Sequence, residues 1–388
     1  MNGPLDWLDD ALTDLDRRGL RRSLAARSGP QRGDRIEIDG QTLVNFGSND
    51  YLGLAADPRI AAAAKAAIDK YGWGSGASPL VTGRSELHAK LERKLAEFEG
   101  TEAALLFPSG YAANVGTICA LVGKGDAIFS DELNHASIID GCKLSGAVVH
   151  VYRHTHVEHL EQLLHQGSVA RRRLIITDSL FSMHGDYAPL YEIARLADRF
   201  GSMLMVDEAH ATGIFGENGR GICESFGLDS RVPVRVGTLS KALGSHGGFV
   251  AGSQQLIDWL TNRARPYVFS TAAPAAIAAA GLEAIKIACT ERDRRNSLDI
   301  LAAQFHEWLA SEMFPIRSSI SQIVPIILGD AKRTMAAAAE LRRRGFFVPG
   351  IRPPSVPEGQ SLLRISLTYL HTGEQLYSLV EALREVAR

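Results

Sequence analysis

Cysteine is scarce in this sequence: 388 residues hold four, at positions 119, 142, 223 and 289, and no two form a CxxC pair. A disulfide scaffold and a cysteine-rich zinc site are therefore excluded, and the thiols read as reduced and mostly buried. Long apolar runs are missing too. No stretch approaches the roughly 18 residues of a membrane span, and the opening "MNGPLDWLDDALTDLDRRGLRR" is charged and helix-like, without an apolar signal core. Charge of one sign is also lacking: 42 Lys+Arg stand against 44 Asp+Glu, a net −2. That balance excludes a broad electropositive face for nucleic acid, and the short basic runs 171–173 and 342–344 read as solvated helix ends. A cytoplasmic protein with neither nucleic acid nor membrane as partner is expected.

What is present is alternation of short apolar runs with helical patterns. Strands are expected at 103–107, 126–129, 147–151, 173–177, 203–206, 234–238 and 248–251, with helices such as 86–99 and 188–200 between them. Strands apolar on both faces and separated by helices indicate an α/β domain with a mostly parallel sheet. Before it, Leu5, Leu8, Leu12 and Leu15 recur at helical spacing and predict a helix over 5–27, and "RIEIDGQTLVNF" (35–46) predicts a hairpin about Asp39-Gly40. After the alanine-rich helical stretch 272–312, strands at 322–328 and 362–368 with helix 331–344 predict a smaller α+β unit. The expected division is 1–50 as helix and hairpin, 51–285 as the large domain and 286–388 as the small one.

In open α/β sheets ligands gather beyond the carboxyl ends of the strands. Several chemistry-bearing residues fall there: Ser109-Gly110-Tyr111 opening a helix, His135 at another helix start, Ser182 in a glycine-containing loop, Asp207 and His210 after one strand, and Thr238 and Lys241 after the next. Each alone has a plain structural reading: a cap, a turn or a surface lysine. Together they supply backbone N–H groups for a phosphate, a carboxylate, an imidazole and an amine, which is what pyridoxal phosphate requires. Two other patterns carry little. His154, His156 and His159 lack a completing cysteine or carboxylate at ligand spacing, so no metal is expected. Gly213, Gly216, Gly219 and Gly221 follow an acid instead of opening a dinucleotide fingerprint.

The segments "NFGSNDYLGL" (45–54), "GSGASPLVTG" (74–83), "FPSGYAAN" (107–114), "DELNHASIIDG" (131–141), "DSLFSMHGDYAPL" (178–190), "MVDEAHATGIFGENGRG" (205–221), "GTLSKALG" (237–244), "FSTAAPAA" (269–276) and "IRPPSVPEG" (351–359) together resemble the α-oxoamine synthases. The resemblance runs in order from about residue 20 to the end. It implies the aspartate-aminotransferase fold (PLP fold type I), with pyridoxal 5'-phosphate as cofactor, and an acyltransferase acting as a homodimer with shared active sites. It implies Lys241 as the covalent anchor and base, Asp207 as partner of the pyridine nitrogen, and His210, near Ser182, as partner of the ring oxygen. It further implies His135 stacked on the ring and Ser109, Gly110, Tyr111 and Thr238 around the phosphate. Thr271 would reach the phosphate of the other subunit. Asn49, Arg21, Arg352 and Arg364 would recognise substrate, Arg364 clamping an amino acid carboxylate through its planar fork.

Within the family, "IRPPSVPEG" resembles the members that join L-alanine to a pimeloyl thioester for biotin synthesis. A glycine- or serine-using acyl-CoA transferase is the alternative, and a non-catalytic partner subunit a remote one. Two positions depart from the family pattern: His184, where aspartate is common, and Pro79, where a basic or small residue is frequent.

Overall fold

A computed structural model describes residues 3–167, 169–316 and 319–387. The described residues divide into two compact units, Leu54–Ser182 with Asp186–Asn296, and Met1–Gly53 with Met183–Gly185 and Ser297–Arg388.

The first unit is built on a seven-stranded sheet: β1 (Ala103–Phe107), β2 (Ala127–Asp131), β3 (Val148–Tyr152), β4 (Arg173–Asp178), β5 (Met203–Asp207), β6 (Val234–Thr238) and β7 (Gly248–Gly252). Their spatial order is β1-β7-β6-β5-β4-β2-β3. β2 through β6 pair in parallel, and β7 runs antiparallel to both β6 and β1. Helices Gly110–Leu121, Ala136–Ser145, Val157–Gln166 and Leu190–Phe200 make the crossovers. Every residue of β2, β6 and β7 is buried, as a sheet covered on both faces requires. One part of the core gathers Leu105, Ile128, Ile176, Met205, Val236 and Val250 from the sheet against Ala113, Ile118 and Ile138 from the helices. At about 25 cal/mol per Å² of apolar surface, such burial is the main force holding the layers.

In the second unit the hairpin forms as expected. Strands Arg35–Ile38 and Gln41–Asn45 pair antiparallel about Asp39 and Gly40, both at positive φ (51° and 72°). Strands Ile323–Gly329, Ser361–Ser366 and Gly350–Ile351 form an antiparallel sheet, packed by helix Ala331–Arg343.

Two expectations are corrected. The first helix runs only from Trp7 to Arg17. Gly19, at φ 68°, turns the chain, and the N–H groups of Leu20 and Arg21 return to the Leu15 carbonyl, so the helix closes long before residue 27. The stretch 272–312 is two helices, Ala275–Thr290 and Asp293–Ser311, interrupted at Glu291, whose carboxylate is held by Arg59 and Arg294.

Candidate active site

The carboxyl ends of β1, β4, β5 and β6 and the start of β7 meet at one edge of the sheet. Gly248 pairs with Phe107 on one side and Thr238 on the other, and Asp178 pairs with Asp207. Ser109 follows β1 and caps helix Gly110–Leu121, its hydroxyl oxygen accepting from the Ala112 N–H at 3.1 Å. A β-carbon on Gly110 would lie 3.7 Å from Thr238, so the helix start and Thr238 are neighbours. A β-carbon on Gly248 would come within 2.5 Å of the Ser109 carbonyl and 2.6 Å of the Gly110 nitrogen. Only glycine lets β7 approach the helix start this closely. The N–H groups at that start, with the positive end of the helix dipole, suit a phosphate.

The Tyr111 backbone lies at this helix start, while its phenol donates to Asp140 Oδ2 at 2.6 Å. The Thr238 hydroxyl donates to the Gly247 carbonyl at 2.8 Å and accepts from the Ser240 N–H at 3.1 Å, bracing the turn that carries Lys241.

Asp207, ending β5, is buried. Its Oδ1 accepts from the Ala209 N–H at 2.8 Å and its Oδ2 from Asn114 Nδ2 at 2.6 Å. Asn114 Nδ2 also donates to Ser137 Oγ at 2.9 Å, and Ser137 Oγ lies 2.7 Å from His135 Nδ1. His135 caps helix Ala136–Ser145 and donates its backbone N–H to Asp178 Oδ2 at 2.7 Å. Burial lowers the His135 pKa, against the Asp207 charge that raises it, while the Lys241 charge lowers it further. Burial and the Asp207 charge push the Asp178 carboxyl well above the ordinary range, with Lys241 acting against them. Lys241, Asp207, Asp178 and His135 thus form one electrostatic neighbourhood. A buried carboxylate for a ring nitrogen, an amine, an imidazole and a phosphate cradle on one edge fit pyridoxal phosphate.

His210 is buried in the turn after Asp207, and Ser182 is half-buried in the loop after β4. Glu208 braces that turn, accepting from Ser179 Oγ at 2.6 Å and the Cys223 N–H at 2.7 Å. Thr271 is exposed and lines a cavity with Pro79, Arg84, Glu92, Phe107 and Leu239.

In the second unit Arg364 is buried and Asn49 half-buried, and the two meet. Arg364 Nη1 donates to Asn49 Oδ1 at 3.1 Å and to Ser366 Oγ at 2.8 Å, and the Tyr51 hydroxyl donates to Asn49 Oδ1 at 3.1 Å. Arg21 and Arg352 meet each other. Arg352 Nη2 donates to the Arg21 carbonyl at 2.7 Å, while the Arg21 guanidinium pairs with Asp16 at 2.5 Å. His184 is buried, and Pro79 opens the wide helical turn Pro79–Gly83.

Asn114, Ser137, Asp178 and Tyr51 escaped the sequence reading. Asn114 did leave a signal: it is the single amide in the otherwise apolar or small "GYAANVGTICAL". The histidine cluster resolves into separate roles, with His156 capping helix Val157–Gln166 and His154 held by Asp131 and Asp186.

The family model for aminotransferase class I and II matches residues 41–383. The chain is 52% identical over 384 residues to the 8-amino-7-oxononanoate synthase of Anaeromyxobacter dehalogenans strain 2CP-1, covering 99% of this chain and 96% of that one. It is 47% identical over 381 residues to the enzyme of the same name from Geobacter metallireducens, covering 96% of each. Among solved structures, the serine palmitoyltransferase of Sphingomonas wittichii is similar at a TM-score of 0.93 and 33% identity, covering 99% of this chain and 98% of that one. The 8-amino-7-oxononanoate synthase of Francisella tularensis is similar at a TM-score of 0.77 and 30% identity, covering 88% and 97%.

Proposed function

The chain belongs to the aminotransferase class I and II family, among its α-oxoamine synthases, and from that premise we propose that it makes 8-amino-7-oxononanoate for biotin synthesis. The substrates are L-alanine and a pimeloyl thioester, and the products are the amino ketone, carbon dioxide and the thiol. The observation that carries this reading is 52% identity, over nearly the whole of both chains, to an enzyme of that name. The closer fold match to serine palmitoyltransferase does not select serine, because the two solved relatives are only 33% and 30% identical and a fold hosts many substrates.

Pyridoxal phosphate, when bound, supplies the electron sink that makes the alanine Cα acidic. Ser109, Gly110, Tyr111 and Thr238 are the proposed phosphate holders, with Thr271 serving the other subunit of a homodimer. Asp207 offers an ionised carboxylate to the pyridine nitrogen, its oxygens fixed by Ala209 and Asn114. His210 and Ser182 serve the ring oxygen. Lys241 is the proposed covalent anchor of the cofactor and the group that would take the Cα proton. His135 polarises the ketone oxygen during loss of carbon dioxide. Arg364 with Asn49 is the proposed carboxylate clamp, and Arg21 and Arg352 are proposed contacts further along the substrate. No helix among the described residues is long and apolar enough to cross a membrane, in keeping with action in the cytoplasm.

The test is a purified protein that is yellow with cofactor, and a Lys241→Ala variant that loses the borohydride-reducible linkage. Alanine-dependent thiol release from pimeloyl-CoA, exceeding that with glycine or serine, is expected. Release with glycine or serine alone would move the chain to another branch of the family.

A further inference from the structure

The Asp207, Asn114, Ser137 and His135 side chains form a single hydrogen-bonded line whose direction the donors and acceptors dictate. Asp207 in its ionised form only accepts, and it takes one N–H of the Asn114 amide at 2.6 Å. The other N–H of the same amide goes to Ser137 Oγ at 2.9 Å. Ser137 Oγ lies 2.7 Å from His135 Nδ1, and its hydroxyl donates there because that nitrogen already accepts from a backbone N–H. The Ser137 backbone N–H also donates to that nitrogen, at 3.3 Å. A nitrogen that receives two donors presents its lone pair, so the imidazole proton sits on Nε2.

The reversed line is disfavoured at its first link. Turning the Asn114 amide over would set its oxygen against the Asp207 carboxylate and draw the Ser137 proton back from His135. In the orientation present, Asn114 Oδ1 is buried and has no partner among the described residues, so the amide nitrogen's two bonds outweigh a stranded oxygen. Asn114 and Ser137 are buried, at 1% and 0% exposure, so water does not compete for these groups. The bond from the His135 backbone N–H to Asp178 fixes the residue at its helix start, independently of the line. The charged groups acting on the imidazole are Asp207, Lys241 and Asp140, and Asp178 accepts from the residue's backbone N–H.

We propose that Asn114 and Ser137 are positioning residues that carry the state of Asp207 to His135, holding the imidazole as the Nε2–H tautomer while Asp207 is ionised. The consequence for chemistry rests on the reading of Asp207 and His135 as cofactor-facing groups. On that reading His135 is kept as a hydrogen-bond donor at Nε2, suited to polarising a ketone oxygen, and is kept from acting as a base there.

The test uses holoenzyme labelled with nitrogen-15 at histidine. Long-range proton–nitrogen spectra report the tautomer, and the His135 signals are identified by their loss in His135→Asn. Wild type is expected to show one Nε2–H tautomer, unchanged across the neutral range. Asn114→Leu and Ser137→Ala are each expected to move the signals to values averaged between tautomers, with kcat lower by about tenfold, as one charge-linked hydrogen bond implies. Ser137→Thr, which keeps the hydroxyl, restores both. Ser137→Ala removes a single oxygen and serves if the Asn114 variant does not fold. A single Nε2–H tautomer persisting in Ser137→Ala, or averaged signals in wild type, overturns the proposal. A wild type with the held tautomer but no alanine-dependent thiol release upholds the line of hydrogen bonds and overturns the assigned reaction instead.

Discussion

Arg364 donates from Nη1 to the side-chain oxygen of Asn49 at 3.1 Å, joining strand Ser361–Ser366 to a loop from the start of the chain. A guanidinium fixed in direction by an amide presents its planar fork to an incoming carboxylate. Arg364→Lys preserves charge but loses the fork. It is expected to raise KM for alanine about ten- to a hundredfold, the worth of a charged hydrogen bond, with Asn49→Ala giving a smaller rise. Steady-state kinetics with alanine varied will check this, and an unchanged KM in Arg364→Lys removes the residue from carboxylate binding.

Gly248 tests the cradle. Its missing side chain leaves room for the Ser109 carbonyl and Gly110 nitrogen, both backbone atoms that cannot swing aside. Gly248→Ala should destabilise the protein by about 1–3 kcal/mol, as overpacking does, and weaken cofactor binding. Gly110→Ala places its new carbon at an ordinary 3.7 Å from Thr238 and should melt near wild type. Thermal melts and cofactor titration of the two variants make the comparison.

His154 gives alkaline sensitivity. Its Nδ1 lies 2.9 Å from Asp131 and its Nε2 3.0 Å from Asp186. Burial lowers its pKa, but hydrogen bonds and charge from the two aspartates outweigh burial and raise it to about 9 from 6.5. Because the folded value is the higher one, the stabilisation is fully present below pH 6.5 and is lost as pH rises through about 9. His154→Asn should melt lower than wild type near neutrality, with the gap closing towards alkaline pH. A gap independent of pH refutes a charged His154.

Glu99 acts in the same pH direction from another cause. It is fully buried, and burial lifts its carboxyl from 4.5 to about 8 despite Arg235 at 3.6 Å. Stability tied to its protonated form is complete below pH 4.5 and drains away as pH passes about 8. Glu99→Gln should therefore hold its melting temperature better than wild type as pH rises from 4.5 to about 8. Parallel melting curves for the two would show that Glu99 does not titrate in this range.

Much of the sheet was legible because each strand is a short apolar run between helical patterns, and its candidate chemistry stands in the few polar residues after β1, β2, β4, β5 and β6. Asp207, His135, Lys241 and Ser109 could be found this way. Asn114 and Ser137 could not be assigned a purpose, because helix positions facing a sheet edge acquire one only when two helices are brought together. For Arg21 and Arg352, expected as substrate contacts, the sequence did not disclose the partners they hold in the fold: Asp16 for one and a backbone carbonyl for the other. The first helix is overextended by its leucine spacing, which carries no stop signal, whereas Gly19 does.

The antiparallel insertion of β7 between β1 and β6 sets an order of events during synthesis. The Ser109–Gly110 turn leaves the ribosome early, but the strand seated against it begins at Gly248, which pairs with Thr238 at the end of β6. A nascent chain that has not yet delivered residue 248 lacks one wall of the cradle, however well its parallel strands have paired. Contacts so distant in sequence close late. A chain ending before Gly248–Gly252 is thus expected to bind the cofactor more weakly than the full chain, which cofactor titration of the truncated and full proteins will measure.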